Sequence, residues 1–270
     1  MYPTLARWGE FTLYTHDVFS VAAIAVGFAI YYAELRRRGW LDSTIVWISL
    51  AALLGGAIGA RLITSWERPE VYAAFTSLPL TVAIERSGKS IIGAIAGGYL
   101  AIVLAKRAFV YRRSTGDAYV LAIPIATAIG RIGCFLSELP LGTPTSLPWG
   151  VRVDPAAAAA FPTCPGCGGP MHPTMVYEIA FNLVAAALLW RFRSRVPAAG
   201  DALKLYLLGA AAFRFLVEFI RTSPRQALDL TAPQWVLVPM IGLLVVHFAR
   251  QASRGAWSVP PPPIAYVPAR

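Results

Sequence analysis

Seven apolar segments make up most of the chain, and each has nearly the length that a helix needs to cross a membrane. The hydrocarbon core of a bilayer takes roughly 20 helical residues, and these segments have about 16 to 21. They run approximately over residues 18–35, 44–64, 90–108, 118–137, 176–192, 203–221 and 234–249. A transmembrane barrel would show shorter, alternating segments. We therefore predict an all-α fold, a polytopic membrane bundle of seven transmembrane helices.

The low content of charged residues supports the same class. Hydrophobic residues make up 57% of the chain and charged residues only 14%, whereas a soluble domain carries about 25% charged residues. The formal net charge of +10 would suggest nucleic acid as the partner of a soluble protein. In a membrane protein it reflects basic loops on the cytoplasmic side, so we expect a lipid bilayer and no nucleic acid as partner.

The distribution of basic residues predicts the orientation. They concentrate in the loops after the first, third and fifth segments and in the tail, at 36–38, 106–107, 112–113, Arg191, Arg193, Arg195, Arg250 and Arg254. These loops are therefore predicted to be cytoplasmic, with the N-terminus outside. We expect a membrane domain over 1–250 in the cell (inner) membrane, with an external head loop at about 138–175. Residues 251–270 form a proline-rich cytoplasmic tail.

Ionisable residues gather in the outer half of this predicted bundle. With the helices oriented as above, that half contains Arg61, Lys89, Arg131, Glu178, Arg214 and Glu218. Charges within a membrane usually face a bundle interior or a wet cavity. Arg131 follows the charge-free run "AYVLAIPIATAI" and needs an anion, which could be Glu178, Glu218 or a ligand.

Simpler structural roles are open for several of these residues. Arg214 and Glu218 are four residues apart and could pair on one helix face. Arg61, Lys89 and Glu178 lie near helix ends, from which they could reach the membrane interface.

Two deep arginines with a cationic surplus favour a phosphate ligand. Guanidinium groups bind phosphate oxygens in a bidentate way and stay charged at any working pH. Within a bilayer, the abundant phosphate is a phospholipid headgroup. We expect Arg131 and Arg214 to face a lipid-sized cavity that opens laterally on the outer side.

Glycines and cysteines have separate explanations. The segments "GGAIG" at 55–59 and "GAIAG" at 93–97 each contain G-x-x-x-G, which lets membrane helices approach closely. Cys164 and Cys167 form a C-x-x-C followed by His172, but a fourth zinc ligand is not evident. Outside the cytoplasm a disulfide is the favoured interpretation. The sequence predicts neither a metal nor a cofactor.

Several motifs together resemble one known family. They are "GGAIGARL" (55–62), "GRIGCF" (130–135), "GTPTSLPWGV" (142–151), "HPTMVYE" (172–178) and "FRFLVEFIR" (213–221). In this order they are similar to the prolipoprotein diacylglyceryl transferases. The resemblance implies a helical membrane bundle with an external head. It also implies transfer of the diacylglyceryl group from phosphatidylglycerol to the lipobox cysteine of a lipoprotein precursor, with release of glycerol phosphate.

The resemblance assigns roles to four residues. It implies that Arg131 and Arg214 bind the phosphate, that Glu218 orients an arginine and that Gly142 closes its motif. We expect further substrate contacts from the remaining candidates, which are Arg61, Glu138, His172, Tyr177 and Glu178.

The chain departs from the family pattern in places that bear on the acceptor thiol. Where the family has a histidine before the third segment, this chain has Gly88 beside Lys89. Cys134 stands in place of an asparagine and Ala210 in place of a tyrosine, and the acidic residue after the G-R-I-G motif is displaced by one, to Glu138. Two alternatives therefore stay open: a lipid transferase with another acceptor or lipid, and a non-catalytic phospholipid-binding protein.

The first prediction concerns the missing histidine. We expect Lys89 to replace it, as base or as an additional phosphate contact, with His172 and His16 as weaker candidates. A lysine can act as a base only where its surroundings lower its pKa. Lys89→Gln should therefore reduce transfer to a lipobox peptide, and unchanged turnover would contradict this role.

Overall fold

The structure, a computed structural model, is predominantly helical. It describes residues 4–9, 11–67, 91–137, 141–153, 169–192, 195–196, 198–223 and 225–255. Within these ranges the chain begins with strands β1 (Thr4–Trp8) and β2 (Phe11–Tyr14). The α-helices that follow are α1 (Thr15–Arg37), α2 (Ser43–Glu67), α3 (Ile91–Ala108), α4 (Ala122–Leu136), α5 (Thr174–Phe192), α6 (Asp201–Val217) and α7 (Ala232–Ser253).

The helices coincide with the seven apolar segments of the sequence. Within the described residues, four stretches are long and apolar enough to cross a membrane, namely Thr15–Arg37, Ser43–Leu62, Thr174–Phe192 and Ala232–Ser253. Helix α4 is apolar as well but has only 15 residues, which corresponds to roughly 22 Å. The chain is therefore a helical membrane protein.

Two local features differ from the sequence prediction. The sequence predicted no strands, yet β1 and β2 form an antiparallel hairpin in which Trp8 pairs with Phe11 across a two-residue loop. Gly9 in that loop has φ +60°, a conformation that hairpin turns of this length favour. Helix α6 ends at Val217, earlier than predicted, because a 3₁₀ turn follows at Glu218–Ile220.

The chain divides into two compact units. The first contains Met1–Leu35 and Ser114–Ala265, and the second contains Arg36–Arg113 and Tyr266–Arg270. In the first unit, α4 packs on α5 and α6 packs on α7. One buried apolar cluster there is formed by Val120, Leu121, Leu189, Ala202 and Tyr206. A second one is formed by Leu141, Val153 and Met171 of the head loop together with Met175 of α5.

Polar side chains fix the ends and the packing of the helices in the first unit. Asp117 caps the start of α6, because its Oδ2 accepts a hydrogen bond from the Gly200 N–H at 2.8 Å. Thr231 and Gln234 form a capping box at the start of α7. The Gln234 Nε2 group also donates to the Phe215 carbonyl at 3.1 Å and thereby joins α7 to α6.

The second unit is built around a close contact between α2 and α3. A Cβ atom on Gly59 would collide with the backbone of Gly93 and Gly97, and one on Gly55 would lie 2.6 Å from the Gly97 carbonyl oxygen. The two backbones can approach this closely only because both helices carry glycine at the contact. The predicted packing role of the two G-x-x-x-G motifs is confirmed.

This contact predicts that Gly59→Ala destabilises the second unit by about 1–3 kcal/mol, because the added methyl group forces the two backbones apart. Gly242→Ala in α7 is the matched control, since nothing lies within 4 Å of a Cβ at that position. It should be neutral or slightly stabilising, because alanine is the better helix former. Thermal unfolding in detergent measures both, and equal melting temperatures for the two variants would contradict the prediction.

Candidate active site

Glu178 of α5 is the centre of an ionic cluster that joins three helices. Its Oε2 atom accepts a hydrogen bond from the Nε group of Arg131 in α4. Its Oε1 atom lies 2.7 Å from Nη1 of Arg214 in α6 and 3.4 Å from Nη1 of Arg221. The anion that Arg131 requires is therefore supplied by Glu178, one of the partners that the sequence left open.

A second carboxylate, that of Glu218, binds two of the same arginines. Its Oε2 atom lies 2.8 Å from Nη2 of Arg214 and 3.7 Å from Nε of Arg221. The predicted pairing of Arg214 with Glu218, four residues apart on one helix face, is therefore present. Both Glu218 oxygens are buried and accept no well-aligned hydrogen bond from the described residues, so the nearby positive charges stabilise this carboxylate.

The cluster as described has an excess of positive charge that lies on its accessible side. Three arginines face two glutamates, which leaves a formal surplus of one positive charge. The Glu178 and Glu218 side chains are 6% and 0% exposed, whereas those of the arginines are 16–26% exposed. The carboxylates are thus more buried than the arginine side chains, so the accessible surface of the cluster belongs mainly to the arginines.

Arg131 has donors that the described carboxylates do not use. A guanidinium group has five N–H donors, and Glu178 contacts Arg131 through Nε. The Nη1 atom lies 4.0 Å from the Cys134 sulfur, at most a weak hydrogen bond. Within the described part of the chain, the Nη groups of Arg131 have no hydrogen bond other than this weak one, so they can bind the oxygens of a further anion.

Arg221 also belongs to the cluster, and it is not among the residues predicted from the sequence. Arg214, Glu218 and Arg221 follow the spacing i, i+4, i+7, which places three side chains on one helix face. That spacing lies within the "FRFLVEFIR" motif and could have identified Arg221. The helix ends before this residue, and Arg221 forms an isolated antiparallel bridge with Gly142.

Gly142 lets the head loop lie directly on the cluster. Its N–H donates to the His172 carbonyl at 2.8 Å, and the next N–H, of Thr143, donates to the Ile220 carbonyl at 2.8 Å. A Cβ at position 142 would collide with that Ile220 carbonyl and lie 2.8 Å from the His172 Cβ. Gly142 therefore acts in the structure through close backbone packing, next to Arg221, rather than through a side chain.

A second polar group lies at the start of α5. The Tyr177 hydroxyl accepts a hydrogen bond from Trp149 Nε1 at 2.8 Å and lies 3.2 Å from Nδ1 of His172. Trp149 itself is 56% exposed. This group joins the head loop to α5 at the residue that precedes Glu178 in the sequence.

The remaining candidate residues are not part of the described cluster. Arg61 belongs to the second compact unit, where its Nη1 group donates to the Ala57 carbonyl of its own helix at 3.2 Å. Lys89, Glu138 and the Cys164–Cys167 pair lie outside the described residues. His16 lies beside Asp17 at 3.7 Å at the start of α1.

One alternative from the sequence is wrong. Glu178 could have reached the membrane interface from a helix end, but its side chain is 6% exposed and contacts three arginines. Its position near a helix end does not indicate this burial, because the arginines that surround Glu178 come from other parts of the chain.

Comparison with known proteins identifies the family. The model of the prolipoprotein diacylglyceryl transferases matches residues 3–250. The protein named phosphatidylglycerol–prolipoprotein diacylglyceryl transferase from Bordetella avium is 32% identical over 270 residues, which cover 93% of this chain and 96% of that protein.

Two further relatives have the same name. The one from Bordetella parapertussis is 32% identical over 254 residues, covering 85% of this chain and 90% of its own length. The one from Cupriavidus metallidurans is 33% identical over 239 residues, covering 83% and 82%. With a family match that spans α1 to α7 and the motifs of the ionic cluster, this chain belongs to the prolipoprotein diacylglyceryl transferase family.

Proposed function

We propose that the chain transfers the diacylglyceryl group of phosphatidylglycerol to the cysteine thiol of a lipoprotein precursor, and that the cluster of Arg131, Arg214 and Arg221 binds the lipid phosphate. The observation that carries the proposal is the surplus positive charge on the accessible side of the cluster. The phosphodiester of phosphatidylglycerol carries one negative charge, so its binding would neutralise that surplus.

The unused Nη groups of Arg131 are the proposed first contact of the phosphate. Glu178 fixes this guanidinium group through Nε and leaves the Nη edge for a bidentate contact with two phosphate oxygens. Arg214 and Arg221 are held by both carboxylates, so they supply a fixed positive field. A preorganised arrangement of this kind stabilises developing charge without reorganisation during the reaction.

The reaction places new charge on the group that the arginines hold. The thiolate sulfur attacks the glycerol carbon that carries the phosphate, so that a C–S bond forms and a C–O bond breaks. The electron pair of the broken bond stays on the phosphate oxygen, and glycerol phosphate leaves with one more negative charge than the bound diester had. Positive charge therefore stabilises the transition state more than the bound substrate, which is the condition for catalysis.

The thiol proton requires an acceptor near the attacking sulfur. We propose Lys89 for this role, because it stands beside the position of the family histidine. His172 is the alternative that the described residues support, since Tyr177 and the head loop hold its ring beside α5. The hydroxyl of Tyr177 accepts from Trp149 and orients the imidazole through Nδ1.

We further propose that all seven helices span the cell (inner) membrane, with the N-terminus outside, the C-terminus in the cytoplasm and the site toward the outer side. The support is the concentration of basic residues in the first, third and fifth loops. In this orientation the ends of α4, α5 and α6 that form the cluster lie in the outer half of the bilayer, which phosphatidylglycerol of the outer leaflet can reach.

The phosphate proposal predicts that Arg131→Gln lowers kcat/KM for diacylglyceryl transfer about 100- to 1,000-fold, as removal of a donor to a developing oxyanion does. Arg225→Gln is the matched control, because Arg225 pairs with the exposed Asp229 outside the cluster. It should retain activity. Transfer from phosphatidylglycerol to a lipobox peptide measures both variants. An Arg131→Gln enzyme as active as the Arg225→Gln control would contradict the proposed role.

Rescue of a cell depleted of its own transferase separates the proposed enzyme from a non-catalytic lipid-binding protein. The unsubstituted chain should restore growth and Arg131→Gln should fail, at equal amounts of membrane-inserted protein. A chain that binds phosphatidylglycerol yet neither rescues growth nor modifies the peptide would instead support the non-catalytic alternative.

The orientation predicts which cysteine substitutions a membrane-impermeant maleimide reaches. In a background with the three native cysteines replaced by serine, Leu147→Cys should be labelled in intact spheroplasts. Arg112→Cys should be labelled only after permeabilisation, because the third loop is proposed to be cytoplasmic. The reverse pattern would show that the chain is inserted with the opposite orientation.

A further inference from the structure

The C-terminal end of α3 carries a cavity of about 370 Å³ that the proposed reaction does not use. The cavity is open and its surface is mainly apolar, and three of the residues around it are basic; they are Val103, Lys106, Arg107, Val110, Tyr111 and Arg112. The lining belongs entirely to the second compact unit, whereas the arginine cluster belongs to the first.

No carboxylate of the surrounding sequence neutralises these cations. Residues 91–116 contain no aspartate or glutamate. Arg107 and Arg112 are exposed, and neither forms an ion pair with the residues that the structure describes. Lys106 is held at the cavity, because its Nζ group donates to the Arg113 carbonyl at 2.8 Å and lies 5.9 Å from the centre of the Tyr111 ring.

The way in which α3 ends builds the cavity. The Tyr111 N–H donates to the Lys106 carbonyl at 2.8 Å and the Val110 N–H donates to the Arg107 carbonyl at 3.2 Å, which is a Schellman ending. Val110 has φ +52°, a strained conformation for a β-branched residue where glycine is usual. This turn folds Tyr111 and Arg112 back beside Lys106 and leaves the Val110 side chain 73% exposed among the cations.

Trp40 indicates where this end of the helix lies in the membrane. Its indole ring contacts two guanidinium groups, with Arg38 at 4.9 Å and Arg113 at 5.5 Å from the ring centre. Tryptophan is enriched at the level of the lipid headgroups. The contact joins the first and third loops, and its tryptophan is the residue type expected at the depth of the lipid phosphates.

We propose that the cavity at the end of α3 binds the phosphate headgroup of an anionic phospholipid, as a site separate from the transferase site. The lipid comes from the leaflet that this end of α3 meets, which is the cytoplasmic leaflet in the topology proposed above. Lys106, Arg107 and Arg112 contact the phosphate, while Val103 and Val110 contact the glycerol and the first acyl carbons. These valines favour a lipid over a free phosphate, which would gain nothing from apolar walls.

Native mass spectrometry of the full chain in detergent, titrated with phosphatidylglycerol and with phosphatidylcholine of the same acyl chains, tests this site. The K106Q/R107Q/R112Q variant should bind one phosphatidylglycerol at least about tenfold more weakly, since each basic residue near an anionic lipid contributes to binding. Its phosphatidylcholine binding should not change. The transferase site is intact in both proteins, so the difference between them reports on the cavity alone.

Two controls make the result decisive. R191Q/R193Q/R195Q removes the same charge from another basic loop and should retain the lipid. K106R/R107K/R112K keeps the charges and should retain it as well, which shows that the charge of these side chains holds the lipid. Equal loss in R191Q/R193Q/R195Q would show diffuse electrostatic attraction and overturn the proposal. Displacement of the lipid by equimolar inorganic phosphate or glycerol phosphate would show a soluble-anion site and overturn it too.

Discussion

Glu178 and Glu218 can be buried only because arginines surround them, and Arg131 can lie in an apolar helix only because Glu178 meets it. An isolated ionised carboxylate or guanidinium in an apolar environment is strongly unfavourable, and removing one partner of a buried pair leaves the other charge uncompensated. The contacts of Glu178 with Arg131 and Arg214 therefore join the ends of α4, α5 and α6. The head loop contacts this cluster through Gly142, which forms a backbone bridge with Arg221.

The same interaction connects the fold to the chemistry. The cluster has three guanidinium groups but only two carboxylates, and the carboxylates are the more buried groups. Structural pairing therefore leaves one positive charge of the cluster uncompensated. In the function proposed above, a lipid phosphate binds to a site whose geometry the ion pairs have already fixed. We propose that the same arginines stabilise the charge that develops on the leaving glycerol phosphate, so that the residues that stabilise the fold also lower the barrier.

Much of this arrangement could be predicted from the sequence, because hydrophobic length and charge depth are properties of single segments. The positions of all seven helices, the glycine contact between α2 and α3 and the need of Arg131 for an anion follow from such local patterns. The sequence could not decide whether Arg131 pairs with Glu178 or with Glu218, since both glutamates are predicted to lie at similar depths. Arg221 follows Arg214 and Glu218 at the spacing i, i+4, i+7 but lies beyond the end of α6. Its place in the cluster depends on contacts with Glu178 and Gly142, which lie far away in the sequence.

Other features depend on contacts between distant parts of the chain. The hydrogen bond by which Asp117 caps α6 joins it to Gly200, 83 positions further along the chain. The burial of Glu178 results from the head loop and α6 together, which its place near a helix end did not indicate. The cavity at the end of α3 depends on the left-handed conformation of Val110, and a valine in the sequence gives no signal for such a turn.

An experimental structure of the chain with bound phosphatidylglycerol tests the central claim most directly. The account predicts that the lipid phosphate lies within ion-pair distance of the Nη groups of Arg131, with Glu178 still bound to Nε of the same side chain. A headgroup bound away from all three arginines of the cluster would contradict it, and so would a cluster from which the covering carboxylates exclude the phosphate.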